Sequence, residues 1–215
     1  MTKKKSHSFI LTQLIAIFIV IPAIAMYFGV IRHHGPRLQD VKINGLVLNP
    51  SKDIEDFNLQ DQNGAPFSKG NLRGRWSMMF FGFTNCASVC PTTLSALNKM
   101  YKSLEQQLPD NQLPQVVFVT IDADRDNTYR MRTYVHAFNP HFIGLRGDDK
   151  STTALENQFH IVSVKMQGDT KADYYFDHSA EILLINPKGE LQAYFSYPHN
   201  PEQLVNEYKE ILRAS

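Results

Sequence analysis

The chain has 215 residues, 43% of them hydrophobic and 20% charged, with 11 Gly and 11 Pro. That composition fits one globular domain with an appendage and excludes a collagen-like or disordered chain. The net charge of +1 divides unevenly: residues 1–37 hold five Lys/Arg and no acid, leaving 17 basic against 21 acidic residues downstream. A weakly acidic body excludes a nucleic-acid binder, which needs a basic face.

Lys3, Lys4 and Lys5 precede 26 residues, Ser6 to Ile31, that carry no Asp, Glu, Lys or Arg. At about 1.5 Å per residue, a helix over Phe9–Ile31 spans roughly 35 Å, enough to cross a bilayer core. The lysines favour an N-terminus in the cytoplasm. Residues 1–8 then read as cytoplasmic, 9–31 as a single transmembrane anchor and 32–39 as a linker. The body, 40–215, is expected on the periplasmic or other extracytoplasmic side of the cytoplasmic membrane. A cleaved signal peptide ending near Ala23-Ile24-Ala25 is the rival reading, but the apolar run continues through Met26–Ile31. Either way the two cysteines reach a compartment that permits disulfides.

Within the body, Asp56–Leu59 and Pro66-Phe67 flank Asp61-Gln62-Asn63-Gly64, a hairpin turn signal. Ser77–Phe83 and Val116–Ile121 are apolar runs expected as buried strands. The spacing of Leu94, Leu97, Met100, Tyr101 and Leu104 predicts a helix over Thr92–Leu108, and Tyr129–Phe138 a second. Ser151 is placed to cap a third helix running to Phe159. Ile161–Val164, Tyr174–Phe176, Ile182–Ile185 and Gln192–Phe195 read as strands, with Asn186–Gly189 turning the last pair. Gln203–Leu212 closes as a helix. This order predicts an α/β domain of thioredoxin-like fold with an N-terminal β-hairpin extension.

Cys86 and Cys90 are the only cysteines, and they follow a buried strand where a helix begins. Unpaired N–H groups there stabilise thiolate. A spacing of four puts both sulfurs on one helical face, a geometry suited to a disulfide bridge or to a shared metal ion. As a structural staple the bridge closes a very short loop worth only about 2 kcal/mol, so a working pair is the better reading. No Pro occurs between Pro140 and Pro187, so the proline that a thioredoxin-type oxidoreductase sets beside its site is missing. Its place is taken by Tyr174-Tyr175-Phe176-Asp177-His178-Ser179. Two thiolates with the His178 imidazole suit Cu(I) and Cu(II), and zinc accepts the same set. Asp177, the neighbour of His178, should point to the opposite face of its strand. His33 and His34 read as linker residues, and His136, His141, His160 and His199 have no partners at ligand spacing.

These residues carry a resemblance. Phe81-Gly82-Phe83-Thr84-Asn85-Cys86 through Cys90-Pro91, with Leu72–Trp76, Thr120–Asp126 and Asp177-His178-Ser179, is similar to the SCO/SenC family of membrane-tethered, thioredoxin-like copper proteins. The resemblance implies one copper ion, Cu+ or Cu2+, held by Cys86, Cys90 and His178. It also implies a partner: cytochrome c oxidase subunit II, whose binuclear copper centre such proteins help to assemble. Some members deliver the metal and others reduce the cysteines that receive it. Two positions depart from the pattern: Ala87-Ser88 stands for Pro-Asp, and Ala123 for a Pro. The metallochaperone is therefore expected first. A thiol–disulfide oxidoreductase with Cys86 attacking and Cys90 resolving comes second. A thiol peroxidase and a purely structural bridge rank behind both.

Overall fold

The computed structural model describes Val20, residues 37–168 and residues 173–215. The expected cytoplasmic segment, the anchor and the first part of the linker thus lie outside the described residues, Val20 apart. Among the described residues no helix is long and apolar enough to cross a membrane.

Residues 77–82 are buried at every position, as an apolar run without alternation requires of a strand covered on both faces. In chain order the strands before it are β1 (Gly45–Asp53), β2 (Asn58–Asp61) and β3 (Pro66–Ser68), and the run itself is β4 (Ser77–Gly82). There follow α1 (Val89–Glu105), β5 (Gln115–Thr120), α2 (Thr128–Phe138), β6 (Ile143–Arg146) and α3 (Asp149–Gln158). β7 (Ser163–Gln167), β8 (Tyr174–His178), β9 (Ile182–Ile185), β10 (Glu190–Phe195) and α4 (Pro201–Ala214) complete the order.

Eight strands form one mixed sheet in the order β1–β10–β9–β4–β5–β6–β2–β3. β4 runs parallel to β5, and β5 to β6, while β9 lies antiparallel to β4 on its other side. The predicted hairpin β2–β3 extends the β6 edge. Its turn is set by the Asp61 carboxylate, which accepts from the N–H groups of Asn63 and Ala65, and by Gly64 at φ +82°. Phe80, Phe81, Phe118, Leu183 and Leu184 are fully buried at the centre, each worth roughly 1.5–3 kcal/mol of transfer energy. α1 packs on α4, whose buried residues Leu204, Val205, Tyr208 and Ile211 recur at helical spacing.

Four differences from the sequence reading have local causes. α1 begins at Val89, three residues earlier than expected, because Pro91 sits in the first turn, where its missing N–H costs nothing. α3 is capped by Asp148, whose carboxylate accepts from the Ser151 N–H at 2.7 Å; Ser151 lies inside the helix. β1 and β6 were not anticipated. β1 is an edge strand with a register shift between Val47 and Lys52, so its side chains show no period of two, and β6 is only four residues long. Finally, β7 and β8 pair with each other in a separate two-stranded sheet.

The topology creates the site. The loops that leave the carboxyl ends of the parallel strands β4 and β5 meet at one end of the sheet, and the β7–β8 hairpin lies over them.

Candidate metal centre

Three residues from distant parts of the chain converge here. The ligand atoms of Cys86, Cys90 and His178 all lie within 4.8 Å of one another, the single such grouping among the described residues. Both cysteines are free thiols.

The two sulfurs do not share a helical face as the spacing suggested. α1 starts at Val89, so only Cys90 is helical, and Cys86 lies in the loop before the N-cap residue Ser88. A turn brings them together: the Cys86 N–H donates to the Phe83 carbonyl at 3.2 Å, and the Cys90 N–H donates to the Cys86 sulfur at 3.4 Å. The Ser88 side chain makes no capping bond, so Cys86 sulfur acts as a capping acceptor in the first turn. Exposure differs too. Cys86 is half-buried, whereas Cys90 is fully buried.

That asymmetry sorts the protons. The neighbouring Cys90 side chain, then His178 and the backbone N–H groups of Cys90 and Ser88, hold the Cys86 thiol far below the usual thiol range. Its sulfur neighbour Cys86, and then burial, push the Cys90 thiol up. The two thiols are thus driven in opposite directions, and Cys86 is the one favoured to ionise first.

His178 ends β8 and arrives from the opposite side. Its Nδ1 lies 2.7 Å from the Ser179 carbonyl oxygen, which can only accept, so Nδ1 carries the proton. Nε2 is left with its lone pair 3.5 Å from the Cys90 sulfur. Fixing the tautomer through the far ring nitrogen is how proteins prepare a histidine ligand. Phe80 and Phe83 flank the imidazole, with centroids 6.1 Å and 5.9 Å away. Asp177 is exposed on the opposite face of β8, as strand alternation requires.

Other residues that shape the site gave weaker signals. Gly82, the last residue of β4, allows the Cys90 sulfur to lie where a side chain would stand: a Cβ on Gly82 would be 2.7 Å from it. Asp126, fully buried, accepts from the Thr84 N–H at 2.9 Å, from the Thr84 hydroxyl, and from the Thr120 hydroxyl at 2.6 Å. It pins the start of the cysteine loop. Only the run Thr120–Asp126 hinted at it. The remaining described histidines stand apart: His136 lies in the last turn of α2, His160 Nε2 meets Lys52 at 3.1 Å, His141 stacks on Tyr101, and His199 Nε2 meets the Ala180 carbonyl at 2.8 Å.

Two sulfurs and a tautomer-locked imidazole form a donor set for a soft or borderline transition metal. A model of the SCO1/SenC family matches residues 48–213. The chain belongs to the SCO1/SenC family. The chain spans about half the length of the curated relatives it matches. The mouse mitochondrial SCO2 homolog is 38% identical over 106 residues, 49% of this chain and 41% of that protein. A protein of Stutzerimonas stutzeri described as a putative copper-binding protein is 41% identical over 105 residues, 49% of this chain and 50% of that one. The fold is shared with Bradyrhizobium japonicum ScoI, solved with copper bound. There the TM-score is 0.65 at 29% identity, covering 72% of this chain and 96% of that one.

Proposed function

We propose that this SCO1/SenC protein is a copper metallochaperone that carries one copper ion as cargo between Cys86, Cys90 and His178. The observation that carries the reading is the convergence of the three ligand atoms within 4.8 Å, with His178 held in the tautomer that frees Nε2. Thiolate sulfur selects Cu(I), and the imidazole extends the set to Cu(II). Cys86 is half-buried where Cys90 is fully buried, so it is the more accessible sulfur and offers the route by which an acceptor's ligands enter and exchange the ion. The acceptor is the binuclear copper centre of cytochrome c oxidase subunit II, as the family resemblance implies. Tethering through residues 9–31, with the domain outside the cytoplasm, belongs to the same proposal and is supported by the uncharged run behind Lys3–Lys5.

The test is metal binding by the reduced chain. One copper per chain is expected, lost in Cys86→Ser and Cys90→Ser. His178→Ala should weaken Cu(II) far more than Cu(I), because two sulfurs alone still suit the softer ion. Equal Cu(II) affinity in His178→Ala and the parent chain would remove the third ligand from the account.

A second reading is favoured by the split between the sulfurs. A half-buried, low-pKa Cys86 beside a buried, protonated Cys90 is the arrangement of an attacking and a resolving thiol. Reduction of a partner disulfide would run through a mixed disulfide on Cys86 that Cys90 then displaces. Trapping that species with Cys90→Ser in the absence of metal would shift weight to the reductase.

A further inference from the structure

β8 presents Tyr174, Phe176 and His178 on one face, at alternate positions. His178 meets Cys90, and Phe176 packs on Phe83 with centroids 5.4 Å apart. Tyr174, at the far end, enters a closed ring of contacts with the loop after β5. Its hydroxyl donates to Asp122 Oδ1 at 2.8 Å, and Asp122 Oδ2 accepts from Arg125 Nε. Arg125 Nη1 in turn donates to the Tyr174 carbonyl at 2.9 Å, while its guanidinium lies over the Tyr174 ring, 3.6 Å from the centroid. The Asp122 side chain is 1% exposed and that of Arg125 20%, so the pair is shielded from screening.

The hairpin needs such a hold. β7 and β8 share no pairing with the eight-stranded sheet. The strand bearing the only imidazole of the centre is thus set by side-chain contacts and by the Val162–Ser179 bonds at its base. Planarity makes arginine suited to this place: one group hydrogen-bonds a carboxylate and a carbonyl in its plane while its face covers an aromatic ring.

We propose that Arg125, Asp122 and Tyr174 form a clamp that positions His178 over the cysteine pair, making them positioning residues for the imidazole ligand; this rests on the copper-site reading above. The clamp touches neither sulfur, so it governs the histidine-dependent part of metal binding and leaves the thiolate-dependent part.

The experiment uses the full chain, reduced, with Arg125→Ala and Tyr174→Ala made separately. Tyr174→Ala breaks the clamp from the hairpin side and decides the matter should Arg125→Ala not fold. In the metal-free chain, the His178 ring protons are read by NMR, because the Phe80 and Phe83 ring currents shift them. Their resonances should move toward those of an unstructured histidine in both variants. Competition titrations should show Cu(II) affinity falling roughly tenfold to a hundredfold, and Cu(I) affinity changing by less than about threefold. In a His178→Ala background, Arg125→Ala should add no further loss of Cu(II) affinity. Unmoved His178 resonances in a folded variant would overturn the clamp, as would an equal loss of Cu(II) affinity with and without His178. Unchanged Cu(II) binding in His178→Ala alone would instead remove His178 from the copper site proposed above, and the metal-free resonances would still decide the clamp.

Discussion

Gly82→Ala places one methyl group in the most crowded point of the centre. Its carbon would stand 2.7 Å from the Cys90 sulfur and 2.9 Å from Phe118 Cε2, both below any ordinary contact distance. Both neighbours are confined, so either can shift only against packed atoms: Cys90 and Phe118 are fully buried, and Phe118 packs against Phe80 and Tyr134. Overpacking of this kind costs about 1–3 kcal/mol. In a domain of this size each kcal/mol lowers the melting temperature by about 2–4 °C, so a fall of roughly 2–12 °C is expected. The sulfur is the smaller obstacle and should move, spoiling its 3.5 Å approach to His178 Nε2. Copper affinity should therefore fall about tenfold or more in both oxidation states, because the displaced atom is a ligand to each. Calorimetry and competition titration read the two effects. Gly144→Ala is the control: its added carbon meets Met131 Cε at 3.1 Å and Val135 Cγ1 at 3.3 Å, so it should touch stability and leave copper affinity unchanged. Parent-like melting and parent-like copper affinity in Gly82→Ala would refute the packing argument.

Two further outcomes follow from the loop. A thiol whose pKa is depressed stays ionised as pH falls, so alkylation of Cys86 in the reduced, metal-free chain should hold its rate from about pH 8 to about pH 5, where an ordinary thiol slows about tenfold per unit. A rate that declines tenfold per unit across that range, or a fast phase surviving Cys86→Ser, contradicts the proton assignment. Asp126→Ala leaves the Thr84 N–H and the two threonine hydroxyls without their acceptor, at about 1–3 kcal/mol for each group that stays buried and unpaired. Urea denaturation should show a loss of about 3 kcal/mol or more, and a change under about 1 kcal/mol would mean that Asp126 does not pin the loop.

The sequence made the central strands and the chemistry legible for physical reasons that also mark their limits. Ser77–Phe83 and Val116–Ile121 announce themselves because strands buried on both faces need unbroken apolar runs. Helix α4 does so through its apolar stripe. β1 and β6 carry no comparable signal: one is an edge strand with a shifted register, the other too short for a period to repeat. At the site, the residue types of Cys86, Cys90 and His178 were readable, and alternation along β8 placed Asp177 on the outer face. Their arrangement was not. Helical spacing suggested a common face for the cysteines, whereas Pro91 in the first turn leaves Cys86 upstream, and a loop turn sets the pair. Nor could spacing reveal the contacts from Arg125 and Asp126, because the loop after β5 meets the loop after β4 through Asp126 and meets β8 through Arg125, both distant in sequence.

The central claim is that one copper ion is held by two sulfurs and one imidazole. X-ray absorption at the copper edge, on the reduced chain loaded with one equivalent, tests it most directly. Two sulfur scatterers and one imidazole nitrogen are predicted, with the nitrogen signal lost in His178→Ala. A copper environment of nitrogen and oxygen alone, or one unaltered by removing His178, would contradict the account.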